Sequence, residues 1–157
     1  VVLDGSSIGR AAAEYGIWLA GVLAERLIVL GVVDPWINSL SGDAPQLVDY
    51  VDLVSEYLQR ECAGVIGDAR ERGVDAWSDV RVGPRVEEII GAINDEQITL
   101  VVVGAWKRSI VHRLLGYDLA EALTRYSPVP VVVVRPDQHA VDRTPLPTWL
   151  RGESSLA

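Results

Sequence analysis

The sequence lacks methionine altogether and holds one cysteine, Cys62, in 157 residues. One cysteine excludes an internal disulfide framework. A reducing compartment such as the cytoplasm is therefore the expected location. Without Met, the first residue is not a translational start. Val1-Val2-Leu3-Asp4 reads as the tail of a strand, so residues upstream of Val1 are expected. No apolar run approaches the ~20 residues of a membrane helix, so no membrane partner is expected. Lysine is nearly absent too, because Lys107 is the one Lys among 14 Lys and Arg. Against 22 Asp and Glu the formal net charge is -8. That balance excludes a general electrostatic grip on nucleic acid.

Several site motifs are missing as well. No G-x-G-x-x-G follows a strand, which removes the dinucleotide fingerprint. Gly104-Ala105-Trp106-Lys107-Arg108-Ser109 carries letters of a phosphate loop, but the spacing is wrong and the second Gly is absent. One Cys and two distant His leave no metal-ligand spacing, so no metal site is expected. One catalytic pattern does occur, the G-x-S-x-G of Gly5-Ser6-Ser7-Ile8-Gly9. Read as a nucleophile elbow, it makes Ser7 a serine hydrolase's nucleophile, with His112 or His139 as base. No Gly-rich oxyanion loop precedes it. The preferred reading is a serine capping a helix and a glycine making a turn.

What is present fits one globular domain. Hydrophobic residues make up 49% and charged residues 23%, enough to build a core and too apolar for a disordered chain. After the first strand, Ile8, Ala12, Tyr15, Leu19 and Val22 recur at helical spacing up to Leu23. Leu27 to Val33 is apolar throughout, as a central parallel strand buried on both faces should be. Residues 36 to 45 read as a polar loop. A long helix follows from about Gln46 to Arg72, with Leu47, Val51, Val54, Leu58, Cys62, Val65 and Ala69 as its stripe. Gly73 ends it. Val74 to Val82 reads as a half-buried edge strand with Val74, Ala76, Ser78, Val80 and Val82 on one face. A helix over Val86 to Ile93 and a buried strand over Ile98 to Val103 come next. Asp118 to Tyr126 reads as a short helix with Leu119, Ala122 and Leu123 inward. Val129 to Val134 is the last strand. The Pro-containing tail, residues 136–157, shows no clear period.

This alternation predicts an α/β fold, a three-layer doubly wound sheet of five parallel strands with helices on both faces. Such folds bind ligands beyond the C-terminal strand ends. Two loops are selected: Asp4-Gly5-Ser6-Ser7, and Gly104 onward. The second carries Lys107, Arg108, His112 and Arg113, a basic island in an acidic chain. It is a candidate site for a small anionic ligand, or a solvated loop whose cations offset nearby carboxylates.

Four stretches in order carry a family resemblance over residues 1–135. They are Val1 to Ser6 with its Asp-Gly-Ser turn, Leu30 to Asp34, Val82-Gly83-Pro84 leading into Ile90, and Leu100-Gly104 with Leu119-Val134. The chain resembles the universal stress protein family. The resemblance implies a Rossmann-like domain of the adenine-nucleotide alpha-hydrolase type, with strand order 3-2-1-4-5. It also implies a homodimer, a cytoplasmic location and a role in stress response rather than catalysis.

Some members of that family bind ATP and others do not. Binders show Gly, two residues, Gly, nine residues, then Gly followed by Ser or Thr. Here the first Gly is Gly104. Lys107 stands at the second, Tyr117 at the third and Asp118 at the Ser/Thr position. A carboxylate about 4 Å from a phosphate oxygen costs about 4 kcal/mol at an effective dielectric of about 20. Gly116 sits one residue early and would supply the turn in a shortened loop, with Lys107 and Arg108 replacing backbone donors by charge. Asp4, Val32 and Val103 match family positions beside the nucleoside. The resemblance thus leaves a regulatory domain with a degenerate ATP motif, or an ATP- or AMP-binding one with an altered phosphate loop. An edge strand of four valines needs a cover. The resemblance supplies it as pairing of Val129–Val134 with its twin across a two-fold axis, and the alternative cover is the tail.

Overall fold

The computed structural model describes residues 1–35, 47–105 and 119–135, and for residues 47–49 the backbone alone. Its elements are β1 (Val2–Leu3), α1 (Ser7–Leu23), β2 (Leu27–Val33), α2 (Leu47–Glu71), β3 (Ala76–Val82), α3 (Arg85–Asp95), β4 (Val101–Gly104), α4 (Leu119–Tyr126) and β5 (Val131–Val134). The expected alternation of strands and helices is observed, and every strand pairing described is parallel.

Strand order is β1-β2-β3 in one ladder and β4-β5 in another. These are the two halves of the expected order. β1 lies against β4, but no ladder is described between them. The single continuous order 3-2-1-4-5 is thus not established.

Side chains alternate across the strands with a period of two. Leu3, Leu27 and Val29 pack on α1 and α2 with Ala13, Ile17, Cys62, Val65 and Ala69. Val2, Leu30, Val32, Val101 and Val103 pack on α3 and α4 with Ile89, Ile93 and Leu123. Burial on both faces explains why β2 reads as seven apolar residues without a break.

Three strands start later than their apolar runs suggest, and each delay has a local cause. The Val74 N–H still caps α2 by donating to the Ala69 carbonyl (2.9 Å). The Ile98 N–H likewise donates to the Ile93 carbonyl (3.0 Å), after Gln97 takes a left-handed backbone at φ 52°. At Val129, both backbone groups bind the Ser127 hydroxyl, at 3.2 and 2.8 Å. A backbone group already used in a cap or turn is not available to a ladder.

Three face assignments change. In α1 the expected stripe ends at Leu19, because Val22 is 44% exposed. In β3, Ala76 is buried and Val80 half-buried, while Ser78 is exposed and Val82 is 48% exposed. In α4, Ala120 is buried beside Leu123, while Leu119 and Ala122 are half-buried. The α2 stripe is buried from Leu58 through Cys62 and Val65 to Ala69, but Val51 and Val54 are half-buried. At 25 residues α2 is about 37 Å long, against about 23 Å for the seven-residue β2 beneath it. Its first turns therefore overhang the C-terminal strand ends.

Candidate functional site

The C-terminal ends of β1, β2 and β4 meet on one side of the sheet. Parallel register sets Leu3 beside Gly31, so Asp4 leaves β1 next to Val32. Gly5 then adopts φ +76°, a conformation that glycine alone takes cheaply. Ser6 is the N-cap of α1, which settles the choice between Ser6 and Ser7. Its hydroxyl accepts from the Gly9 N–H at 2.9 Å.

Asp4 is tied into the same corner. Its Oδ1 accepts from the Ser6 N–H at 3.0 Å and from the Ser6 hydroxyl at 2.6 Å. Gly9 leaves room for it, since a Cβ at Gly9 would run into the carboxylate and lie 3.3 Å from the Asp4 backbone nitrogen. The carboxylate thus sits at the N-terminus of α1, where the helix dipole favours negative charge. This is the place where an anionic ligand binds in many α/β proteins. Here the chain supplies an anion of its own.

Gly104 closes the corner from β4. A Cβ there would come 2.6 Å from Ile8 Cγ2 and 2.9 Å from the Ile8 carbonyl oxygen. The glycine is required by the first turn of α1, whether or not a ligand binds. Val32 and Val103 reach the same end, but at 6% and 2% exposure they face α3 and α4. A ligand would meet their backbone, because the side chains belong to the core.

So Asp4, Val32, Val103 and Gly104 come together. Lys107, Arg108, Gly116, Tyr117 and Asp118 lie outside the described residues, as do His112, Arg113 and His139. Ser7 is the first residue of α1 and is exposed. Among the described non-glycine residues, positive φ occurs at Ala24 and Gln97, so Ser7 lacks the strained turn of a nucleophile elbow. The hydrolase reading falls on that geometry.

Sequence reasoning missed two participants. Ile8 reads as the start of the apolar stripe of α1, and nothing in that period signals its contact with Gly104. Tyr57 stands just off the apolar stripe of α2, and its hydroxyl donates to the Gly5 carbonyl at 3.2 Å. One turn further along, an ion pair between Arg10 and Glu61 ties α1 to α2. Cys62 lies deeper, fully buried under α2, and burial pushes its thiol up to about 11. It is no nucleophile for this site. Among the described residues, no cluster of His, Cys, Asp and Glu would hold a metal, and no helix is long and apolar enough to cross a membrane.

A corner at the carboxyl ends of parallel strands, with helices on both faces, places the chain among the Rossmann-like α/β folds. The universal stress protein family model matches residues 1–135, and the chain belongs to that family. A universal stress protein of Mycolicibacterium smegmatis is 32% identical over 139 residues, covering 82% of this chain and 89% of that protein. Among solved structures, a universal stress protein family member from Burkholderia pseudomallei is similar, with TM-score 0.64 and 23% identity. It covers 85% of this chain and 92% of that one. A universal stress protein in complex with cAMP is also similar, with TM-score 0.56 and 22% identity, covering 86% and 93%. At those identities the structures speak for the fold.

Proposed function

We propose that residues 1–135 form a stress-response regulatory domain that works as a cytoplasmic homodimer, with residues 136–157 as a tail outside the domain. It is a binding module and not an efficient catalyst, and its ordinary ATP phosphate grip is lost. The observation that carries this reading is the double use of the mouth by the chain itself. Asp4 fills the anion position of α1, and Gly104 is taken up by Ile8. Lys107, Tyr117 and Asp118, where binders of this family carry Gly, Gly and Ser or Thr, point the same way. The all-valine β5 supports a dimer, since an unpaired apolar edge needs a partner.

A second reading rests on Arg85. It opens α3 at the same end of the sheet, and its Nε is buried without a hydrogen-bond partner among the described residues. An orphaned buried donor there favours a bound anion. AMP, ATP or a cyclic nucleotide in an altered pose would serve, and the cAMP complex of a fold neighbour supports the choice. Weak ATP hydrolysis at the Gly104 loop is the most catalysis this reading allows.

Titration of the purified protein with ATP, AMP and cAMP separates the two, alongside mass spectrometry for co-purified nucleotide. The first reading expects no binding below millimolar ATP, and tighter ATP binding by an Asp118→Ser variant. Micromolar binding that Arg85→Gln weakens by tenfold or more would establish the second.

A further inference from the structure

α1 differs from the other helices in its charge. From Ala11 to Leu23 it carries a single charged residue, Glu14, whereas α2 and α3 carry charge along their whole length. A helix that is apolar all round is ordinarily buried all round. α1 is buried on two sides. Ala13, Ile17 and Ala20 pack into the cluster shared with α2, and Ala12 and Leu19 pack on Val102 and Val134. A third side carries Ala11, Tyr15, Trp18 and Val22, which share one face at steps of four, three and four. Ala11, Tyr15 and Trp18 are half-buried, and Val22 is 44% exposed. This strip borders β5, because Ala11, Tyr15 and Trp18 join the cluster that holds Val132 and Val134. Among the described residues α2 is the helix packed against α1, and it lies on the opposite side.

A chain of formal net charge -8 repels a second copy of itself. A surface for self-association must therefore be poor in acid, and the strip and β5 hold none. Symmetry adds a second argument. A two-fold axis perpendicular to the sheet makes a β5 pair antiparallel and leaves both copies of α1 on one face. The two helices then run antiparallel, and each strip meets its own kind. The midpoint of the strip falls between Tyr15 and Trp18. Tyr15 thus lies toward the partner's Trp18, and Ala11 toward the partner's Val22. The Tyr15 and Trp18 rings are 5.2 Å apart and tilted by 54°, the geometry of a packed aromatic pair. Trp and Tyr are also the residues that carry most interface energy.

We propose that the Ala11–Tyr15–Trp18–Val22 strip of α1 is an interaction surface for a second copy of this chain, continuous with the β5 edge. β5 supplies the backbone pairing, and the strip supplies the apolar burial beside it. This rests on the reading of the chain as a homodimer through β5.

The test is sedimentation equilibrium on the full chain, with thiol alkylation beside it. Trp18→Gln should weaken the dimer by about thirtyfold, the scale of an interface hot spot. Val22→Gln, at an exposed position, should fold as the parent does and weaken the dimer by about threefold or more. Leu53→Gln, at 65% exposure on α2, should stay within about twofold. Val22→Cys reads the same surface independently. Cys62 is buried and its thiol is pushed up to about 11, so the introduced thiol is the one that reacts. Its alkylation should slow as concentration rises through the dimer Kd. Protection that is equal at all concentrations would overturn the proposal, since a cover from the same chain, such as residues 136–157, behaves that way. Free reaction at all concentrations would overturn it too. If Trp18→Gln and Val22→Gln dimerise like wild type while Val132→Lys dissociates, the β5 reading stands and the strip falls. A dimer that survives Val132→Lys but not Trp18→Gln supports the strip and removes β5 from the interface. A wild-type monomer at micromolar concentration ends both readings.

Discussion

β3 and β5 each end a ladder among the described strands, and they differ in what they carry there. β3 pairs only with β2 among the described strands, and it carries charge into the sheet. Arg81 bonds Asp79 at 2.7 Å and reaches Asp95 of α3 at 3.0 Å, while its own side chain is mostly covered. Trp77 of the same strand lies under Arg26, at 5.0 Å from the ring centre. Charges on an edge strand make addition of another strand expensive, because they would have to be desolvated. Among the described residues, β5 has no such guard. It is four valines, half-buried except Val134, with the Tyr15–Trp18 ring pair of α1 beside them. The contrast teaches that, among the described residues, one edge is guarded by charge and the other is not, which is what the proposed dimer requires.

The strongest way to break this comparison is to give β5 the guard that β3 has. Val132→Lys should weaken self-association at least a hundredfold, about 3 kcal/mol, with the circular dichroism of the fold retained. Sedimentation equilibrium reads it. A wild-type chain that is monomeric at micromolar concentration would refute the open-edge account outright. Next in size is the seam between the two halves. Gly104→Ala drives a methyl against Ile8 and its carbonyl, and such overpacking costs about 1–3 kcal/mol. Urea unfolding should show that loss, and nucleotide titration should not be needed to see it. If Gly104→Ala leaves stability unchanged, the glycine serves a ligand after all.

The β3 half also holds the sealed thiol. The native pKa of Cys62 lies above its ordinary value because burial disfavours the thiolate. The unfolded chain therefore loses this proton first, and unfolding is favoured as pH rises from about 9 toward 11. The full loss is about 2–3 kcal/mol at 1.36 kcal/mol per unit. Comparing the pH dependence of wild type and Cys62→Ala over that window isolates it. No difference in slope would mean the pocket under α2 admits water.

Most of this architecture was legible in the chain. β2 and α1 agreed with their apolar runs in extent to within a residue. β2 did so because it is buried along its whole length, and α1 because one face is buried from Ile8 to Ala20, although Val22 is exposed. Strand starts were not legible where caps compete for the same backbone groups, as at Val74, Ile98 and Val129. The site was legible by position, since alternating strands and helices put Asp4 and Gly104 at one end. Its chemistry was not. That Asp4 folds back onto α1 and that Tyr57 reaches Gly5 are contacts across faces, and periodicity along one element does not encode them.

The smallest expected effect lies at the guarded edge and is the sharpest test of the guard. Arg81→Leu removes the cation between Asp79 and Asp95 but adds apolar area at a mostly covered position. Those two changes oppose each other. Ion pairs of this partly exposed kind contribute about 0–1 kcal/mol, and the new leucine offsets part of that. Thermal stability at pH 7 should therefore fall by about 1 kcal/mol or less. Association should change more than stability does, because the edge now presents Ser78, Val80 and a leucine between two unpaired carboxylates. At high salt, which screens those carboxylates, the variant should form higher oligomers that Val132→Lys does not dissolve. If the Arg81→Leu and Val132→Lys double variant instead stays monomeric at every salt concentration, charge is not what closes β3, and the two edges differ for another reason.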